Sequence, residues 1–430
     1  MRKLLFVSIF LGWTFMGAGA PGAQPLEGKS EFTVEGLVTQ TLAQNPEIQA
    51  MRAEVEAAGG RLRQAGLRPN PMLEFSGQKS VYSPDNNVGV GVTIPLDLNG
   101  RLEGRVGVAE REAEMKRKQL SDKERKMRAE VRMKAGEVLA ARRNLRFTEE
   151  LLQANRRAQG VLGERVRKGA APSLEESLLQ VEVNRLEASR RILRSRVEIA
   201  TLQLKTLAGM APESPLALNG SLSNLPPALE RKEVPNAEIE ARPDVALART
   251  ETELARAKIE KEKAEGKWDA SFNVGYQRMK SGFNLMGLTE AGAMRDIEDT
   301  FHFVGVGLTI MLPFRNQNQG NIAAAMAEAK SAERRLAYAR LTARQEVAAS
   351  LAQYEAAKRS LEIYQGGVWE IARRNLDVVW KTYELGRTSL LDAIAEQRRY
   401  IEVEMGLTEA LKQIFDAATE IERAHAGAAR

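Results

Sequence analysis

Proline is missing from three long stretches of this 430-residue chain. No proline occurs between Pro95 and Pro172, between Pro172 and Pro212, or after Pro313. Because proline breaks helix interiors, these stretches are free to form very long helices. Apolar residues recur there at steps of three and four, which is typical of helices packed side by side in coiled-coil fashion. The pattern predicts long helices at about 100–168, 173–209, 320–385 and 388–423.

Helices of this length constrain the architecture. At 1.5 Å per residue, a helix over 100–168 is roughly 100 Å long, which is too long for one compact globule, so it needs partners running alongside it. The composition agrees, since only 5% of the residues are aromatic whereas 43% are hydrophobic and 28% are charged. Such a composition favours long helices.

The composition also excludes several classes of protein. There is no cysteine, and His302 and His425 are the only histidines, so a thiolate metal site, a His-rich metal cage or a His-relayed hydrolase is not expected. No nucleophile–base pair or phosphate-binding loop stands out either. We therefore predict no enzyme activity, no cofactor and no resident metal. The net charge of +6 comes from Lys and Arg interleaved with Glu, a pattern that does not favour nucleic-acid binding.

The N-terminus has the order of a secretory signal peptide. Arg2 and Lys3 precede an apolar run from Leu4 to Phe15, and small residues follow at 17–20. Charge, apolar core and small residues in that order predict a signal peptide over 1–23. No later stretch approaches the roughly 20 apolar residues of a membrane-spanning helix, so a polytopic helical membrane protein is excluded. The mature chain is expected to act beyond the inner membrane.

Four short stretches alternate apolar with polar or small residues instead of following a helical period. In one of them Val88, Val90 and Val92 alternate with Gly89 and Gly91. Strict alternation predicts strands with one apolar face, and the lengths suit tilted strands that cross a membrane. Ordinary hairpins packed on a soluble core are the alternative. The predicted strands lie at about 72–79, 87–95, 268–279 and 301–312.

The chain repeats itself in order. Asn45-Pro46 and Arg242-Pro243 each open a helix, a strand pair and a long helix follow, and each long helix ends at a glycine, Gly169 or Gly386. Glycine is the usual residue just past a helix end. We therefore predict two tandem repeats of helix, β-hairpin, long helix and returning helix, at 24–211 and 236–425. A proline-rich linker at 212–235 separates them, and 426–430 is a tail.

Four strands in one chain raise a closure problem. An open sheet cannot lie in lipid, because the backbone amides at its edges would be unpaired. If the strands span a membrane, several chains must pool them into a closed barrel. Three chains would give twelve strands, an even number within the known range, and would arrange the long helices as a hollow cylinder.

The sequence resembles the TolC-like outer-membrane efflux channels. The segments Leu-Arg-Pro-Asn-Pro at 67–71, Ile-Pro-Leu-Asp-Leu-Asn-Gly-Arg at 94–101 and Leu-Pro-Phe-Arg-Asn-Gln-Asn-Gln-Gly-Asn at 312–321 are most similar to its CzcC-like heavy-metal branch. The resemblance implies a mainly α fold with a small β part. It also implies a homotrimer with a twelve-stranded barrel in the outer membrane of a Gram-negative bacterium and an α-helical tunnel in the periplasm. Its implied partners are outer-membrane lipid, a periplasmic adaptor and an inner-membrane pump of the resistance–nodulation–division type.

The resemblance also assigns roles to the helical tips. It implies adaptor docking at the glycine turns, at Gly169, Ala170, Gly386, Arg387 and Thr388. It implies a periplasmic gate in the last helix, where the candidates are Asp392, Glu396, Arg387 and Arg398. Ala395 stands where a second aspartate is usual in the family, so this chain departs from the double acidic ring. The simpler interpretation of Asp392 is an exposed acid favoured by the helix dipole.

Three hypotheses remain open from the sequence. The first is a passive exit duct for heavy-metal cations in a tripartite efflux system. The second keeps the duct but changes its cargo to drugs, solvents or secreted polypeptides. The third is a soluble periplasmic coiled-coil scaffold or adaptor.

Overall fold

The computed structural model describes residues 31–83, 85–223 and 235–425. The predicted signal peptide, the tail and part of the predicted linker lie outside these residues. The elements of the first half are β1 Glu31–Thr33, α1 Val34–Gln44, α2 Pro46–Ala65, β2 Met72–Lys79, β3 Asn86–Pro95, α3 Arg101–Arg167, α4 Ser173–Leu207 and β4 Ala217–Asn219. Those of the second half are α5 Asn236–Ala241, α6 Pro243–Glu265, β5 Asp269–Leu288, β6 Met294–Met311, α7 Gln319–Ile363, a π-helical turn Tyr364–Val368, α8 Trp369–Glu384 and α9 Leu390–Ala424.

The longest element is α3, with 67 residues. It begins after Gly100 and ends before Gly169, both of which have positive φ angles of 83° and 71° that glycine adopts without steric cost. Small residues such as Ala113, Ala129 and Ala135 are buried along it, so neighbouring helices approach closely. Among the helices of the described residues, none is both long and apolar enough to cross a membrane.

One predicted helix is wrong in detail. The stretch at about 320–385 is not one helix but α7 and α8, joined by the π-helical turn. The cause is the pair Gly366-Gly367, because Gly367 has φ 143° and ψ −28°, outside the helical region. A residue with a Cβ atom rarely adopts that conformation.

The two strands of the second half are longer than predicted. β5 has 20 residues and β6 has 18, where the sequence indicated about 268–279 and 301–312. The two strands pair with each other as far as Leu288 and Met294, well beyond the end of β3. The extra segment lacks the regular apolar alternation that marks the rest, and a register shift falls between Phe283 and Met286. The predicted linker likewise contains β4, which pairs in parallel with β1.

The four long strands form one antiparallel sheet in the order β2-β3-β5-β6. One face carries rows of apolar side chains that lie opposite each other across the strands, and these side chains are exposed: Phe75 and Val304 keep 76% and 79% of their accessible surface. The other face is small and polar at its centre, with Gly91, Gly275 and Gly305 in one row beside Glu74, and it carries Phe301 and Phe303 further along β6. β2 and β6 are the edges of this sheet. The apolar rows consist of Leu73, Val92, Val274 and Val306; Phe75, Val90, Tyr276 and Val304; and Ile94, Phe272 and Leu308.

The main core lies away from the sheet, where both returning helices end. Leu37 of α1, Val131 and Val138 of α3, Leu204 of α4 and Ile414 of α9 belong to one buried cluster. This cluster holds the ends of both repeats together. The helices therefore extend from it in two directions, towards the sheet and towards the tips.

Asn45 closes the first repeat at this core. Its Oδ1 atom accepts hydrogen bonds from the backbone N–H groups of Glu47 (2.8 Å) and Ile48 (3.2 Å), and so caps α2. Its Nδ2 atom donates to the carbonyl oxygen of Leu207 at 2.7 Å, the last residue of α4. One side chain thus joins the start and the end of the repeat. Gly209 packs so closely here that a Cβ atom would lie 3.0 Å from Asn45 Cα.

Arg242 does the same for the second repeat by different chemistry. Its side chain is fully buried, and Nη1 donates to the carbonyl oxygen of Ala424 at 2.9 Å, the last residue of α9. The carboxylates of Asp244 (2.6 Å) and Glu346 (2.9 Å) neutralise its charge. Both halves therefore tie the end of the returning helix to the residue before a helix-starting proline.

Replacement of Asn45 tests this closure. Asn45→Ala removes the cap and the bond to Leu207, and we expect it to lower the free energy of unfolding by about 2 kcal/mol. Asn45→Asp keeps the capping oxygen but loses the Nδ2 donor, so its loss should be smaller. Chemical denaturation followed by circular dichroism measures both, and equal losses for the two variants would contradict the double role.

Candidate functional site at the helical tips

The two tips of the helical hairpins have the same backbone design. After α3, Gly169 donates its N–H to Val166 O (3.0 Å) and Ala170 donates to Arg165 O (2.7 Å). After α8, Gly386 and Arg387 donate in the same way to the carbonyl oxygens of Tyr383 (2.8 Å) and Thr382 (3.0 Å). Gly169 and Gly386 both have φ 71°. These bonds satisfy the last carbonyls of each helix.

An apolar cluster brings the two tips together. Leu162 of α3, Leu179 of α4, and Leu390 and Ile394 of α9 are buried against one another, with Trp380 and Tyr383 of α8 packed on them. The residues predicted for adaptor docking therefore lie at one end of the protein. Gly169, Ala170, Gly386 and Arg387 are exposed there, and Thr388 is half-buried.

A hydrogen bond links α8 to α4 just behind the tips. The hydroxyl of Tyr383 donates to the Glu175 carboxylate at 2.7 Å. Burial, reinforced by this hydrogen bond, raises the pKa of Tyr383 from 10.0 to about 12. Because the pKa is raised in the folded protein, the stabilisation is complete below pH 10 and is lost as the pH rises through 12.

A buried carboxylate links α4 to α9. The side chain of Glu182 is fully buried and lies between Arg185 of its own helix (2.6 Å) and Arg398 of α9 (3.0 Å). Burial acts to raise the pKa of Glu182, but the hydrogen bonds from the two arginines outweigh it and hold that pKa below its ordinary value. Arg398, a predicted gate residue, is thus engaged within its own chain.

Asp392 acts locally in this structure. Its Oδ2 atom accepts bonds from Ser389 Oγ (2.6 Å), Thr388 Oγ1 (3.0 Å) and the Ser389 N–H (3.2 Å), and Ser389 Oγ in turn accepts from the Asp392 N–H at 3.2 Å. This is a capping box at the start of α9. The hydrogen bond from the Ser389 hydroxyl, followed by that from Thr388, lowers the pKa of the Asp392 carboxyl. The carboxylate is exposed and stays charged near neutral pH.

The two remaining gate candidates differ in their surroundings. Glu396 binds Arg399 of the same helix at 3.0 Å. Arg387 is exposed on the turn between α8 and α9, and none of the described residues forms an ion pair with it. Glu396 follows Asp392 by four residues, so the two acids share one face of α9.

Sequence reasoning missed Glu175, Glu182 and Tyr383. The partners of these residues are far away in the sequence, so local spacing carries no signal for them. Glu182 could have been noticed because it is an acid near the apolar stripe of α4. Its burial depends on α9, which only the tertiary structure places.

Two exposed apolar stripes run up the helices from the tips. On α8 the stripe consists of Ile371 and Val378 and continues to Leu385 just past the helix end, and on α4 it begins with Leu174 and Val181. Members of each stripe are seven residues apart, which is the spacing of a coiled-coil seam. Leu385 remains 72% exposed and Leu174 remains 67% exposed, so neither seam is covered by the chain's own described residues.

Comparison with known proteins identifies the family to which this chain belongs. The family model for outer membrane efflux proteins matches residues 37–210 and again residues 234–427. The chain belongs to the outer membrane efflux protein family. This assignment confirms the predicted fold class and the predicted efflux function, and it excludes the soluble scaffold hypothesis.

Individual relatives agree over nearly the full length. The cobalt-zinc-cadmium resistance protein CzcC of Cupriavidus metallidurans is 24% identical over 403 residues, which cover 93% of this chain and 91% of CzcC. The solved structure of CusC superposes with a TM-score of 0.76 at 16% identity, covering 92% of each chain. VceC of Vibrio cholerae gives a TM-score of 0.72 at 16% identity, over 92% of this chain and 96% of that one.

The links behind the tips can be tested by spin labelling. The chain has no cysteine, so Ala170→Cys with Arg387→Cys places labels only on the two turns. We expect Tyr383→Phe and Arg398→Gln to broaden and lengthen the distance distribution between the labels, because each removes a bond worth about 1 kcal/mol. Pulsed electron paramagnetic resonance measures that distribution.

Lys381→Gln is the matched control, because the Lys381–Asp377 pair lies on exposed α8 surface, where an ion pair contributes little. An unchanged distribution in both test variants would show that these bonds do not hold the tips together.

Proposed function

We propose that this protein is the passive exit duct of a tripartite efflux system for heavy-metal cations. Three copies form a twelve-stranded barrel in the outer membrane of a Gram-negative bacterium, with an α-helical tunnel in the periplasm. A periplasmic adaptor and an inner-membrane pump of the resistance–nodulation–division type deliver the cargo. The pump supplies the driving force, and the duct itself does no chemistry.

The exposed apolar face of the four-stranded sheet is the observation that carries this proposal. Side chains such as Val304 and Val306 are exposed by more than 70%, which is costly in water. The same sheet has edges at β2 and β6, and unpaired backbone amides are costly in lipid. Pairing β2 of one copy with β6 of the next satisfies both requirements.

The exposed helical stripes support the same ring-shaped assembly. Within the chain α8 and α4 meet near the tips, through the Tyr383–Glu175 hydrogen bond and the apolar cluster, while both stripes stay exposed. In a closed ring, the Ile371–Val378–Leu385 stripe of one copy packs on the α4 stripe of the next. Burial of these apolar side chains then assembles the tunnel while the strands assemble the barrel.

The cargo proposal rests on a relative and on Asp392. CzcC is named for resistance to cobalt, zinc and cadmium. In a threefold assembly three Asp392 carboxylates form an acidic ring near the tunnel entrance, with Glu396 on the same helical face. Such a ring attracts cations and binds them loosely. The low pKa of Asp392 keeps the ring charged at neutral and mildly acidic pH.

The tips are the proposed adaptor-docking surface. Gly169, Ala170, Gly386, Arg387 and Thr388 lie together at the end furthest from the sheet. The glycine turns leave little side-chain bulk there, so another helical hairpin can approach the backbone. Arg387, which has no ion-pair partner among the described residues, is available to a carboxylate of the adaptor.

A deletion strain tests the cargo. We expect loss of the gene to lower tolerance to at least one of cobalt, zinc, cadmium and copper, and plasmid-borne wild-type protein to restore it. The measurement is the minimal inhibitory concentration of each salt. Normal tolerance to all four, with lowered tolerance to drugs or solvents, would replace metal with the second cargo class and leave the duct intact.

Single-channel recording tests the acidic ring. Asp392→Asn keeps an oxygen that can cap α9 but removes the charge. We expect the cation-over-anion permeability ratio to fall by roughly fivefold, because a unit charge about 4 Å from an ion in water is worth about 1 kcal/mol. Asp377→Asn, on the exposed surface of α8, is the control. An unchanged ratio in Asp392→Asn would mean that Asp392 is only a helix cap.

A further inference from the structure

We propose that the sheet carries a phosphate-binding belt on its apolar face, beyond the membrane-facing rows. Its ligand is the phosphate monoester of an outer-leaflet glycolipid headgroup. The belt consists of Lys79, Arg278 and Lys280, with His302 beside them. This inference rests on the proposed function, since the apolar face must lie in lipid for the belt to meet headgroups.

The register of the strands shows which rows of the sheet carry the belt residues. The rows at Phe272, Val274 and Tyr276 are apolar or aromatic across the sheet. The next row on the same face is Gly77, Val88, Arg278 and His302, and the row after it is Lys79, Asn86, Lys280 and Thr300. Charge therefore begins abruptly, within one row of the last apolar one.

Aromatic side chains mark both ends of the apolar rows. Trp268 and Phe314 are exposed at the end nearest the helices. At the far end Tyr276 stacks on His302, and its hydroxyl lies 2.6 Å from His302 Nδ1. Eight residues separate Trp268 from Tyr276, which is about 27 Å along a strand at 3.4 Å per residue. Aromatic girdles of roughly this separation flank the apolar band of membrane β-proteins.

The direction of the strands assigns the leaflet. Every helix joins the sheet at the Trp268 end, whereas the β2–β3 turn and the β5–β6 turn lie at the other end. With the helices in the periplasm, Arg278 and Lys280 lie at the outer surface of the membrane. A glycolipid whose acyl chains cover Val304 and Val306 would hold its sugar phosphates at this level.

The charges of the belt are available to a ligand. Arg278 and Lys79 are exposed, and neither has an ion-pair partner among the described residues. Lys280 binds Glu298, and the Asp85 carboxylate at the same end of the sheet accepts a hydrogen bond from the Gly282 N–H at 2.7 Å. Lys79 and Arg278 are therefore the two belt cations without an ion pair in the described part of the chain. Arginine binds phosphate in bidentate fashion and lysine binds it as a point charge. Apolar rows next to unpaired cations match a ligand with acyl chains and a phosphate.

The test compares the purified wild-type protein with the K79Q/R278Q/K280Q variant. The probes are lipid A carrying two phosphates, the same lipid after enzymatic dephosphorylation, and inorganic phosphate, each titrated into the detergent-solubilised protein. Native mass spectrometry gives the bound fraction. We expect wild type to prefer phosphorylated lipid A, and the variant to bind it at least tenfold more weakly. Inorganic phosphate should not compete at equal concentration, because it lacks the acyl chains.

The K330Q/R334Q/R359Q variant is the control, because it loses the same charge from exposed positions on α7. It should bind phosphorylated lipid A like wild type. The belt would be overturned by any of three results. Wild type could bind the two lipids equally, the K79Q/R278Q/K280Q variant could bind phosphorylated lipid A as tightly as wild type, or inorganic phosphate could compete fully.

Flotation with phosphatidylcholine vesicles distinguishes failure of the belt from failure of the proposed duct. Wild type and the K79Q/R278Q/K280Q variant should both insert, because the apolar rows are intact in both. Failure of wild type to insert would overturn the duct itself, and the belt with it. Insertion of both proteins without a phosphate preference would overturn the belt alone.

Discussion

The backbone hydrogen bonding of β2 and β6 is the constraint on which the rest of the structure depends. These strands end a sheet whose apolar face suits lipid, and lipid offers no partner for an unpaired amide. Closure with further copies resolves this, and it constrains the order of the helices as well, because a short loop connects each strand to a helix at the same end of the sheet. The tunnel and the barrel are therefore two consequences of one pairing requirement. In the proposed ring, the exposed stripes on α4 and α8 pack on each other between neighbouring copies.

In the two repeats, chemically different side chains donate to the last carbonyl group of the returning helix. Asn45 and Arg242 occupy equivalent positions, and each holds the final carbonyl group of its returning helix. Asn45 also caps α2 with its own oxygen, whereas Arg242 needs Asp244 and Glu346 to neutralise its buried charge. The second solution also ties Arg242 itself to Glu346 of α7, whereas in the first repeat Glu47, two residues after Asn45, binds Lys123 of α3. The geometry of the closure is kept although its chemistry differs.

The sequence carried much of this fold because the decisive signals are local. Proline spacing and heptad stripes indicated the long helices, and alternation indicated β2 and β3 within one residue of their observed bounds.

The errors have physical causes. The outer part of β5 and β6 has a register shift between Phe283 and Met286 and no regular alternation, so no period in the sequence marks it. The break at Gly367 depends on a backbone conformation that two adjacent glycines permit but do not require. At the tips, the sequence pointed to the turns and to Asp392, but the bonds of Glu175 and Glu182 join residues that are distant along the chain.

The unequal length of the two hairpins shapes the mouth of the proposed duct. β2 and β3 end near Lys79 and Asn86, while β5 and β6 continue to Leu288 and Met294. In the proposed trimer, three long β5–β6 hairpins alternate with three short β2–β3 hairpins around the axis. The long hairpins, here called turrets, project beyond the rim, and the gaps above the short hairpins, here called notches, lie between them. Cargo that reaches the rim can leave sideways through a notch as well as straight ahead. A large molecule resting on the turrets would therefore leave the passage open.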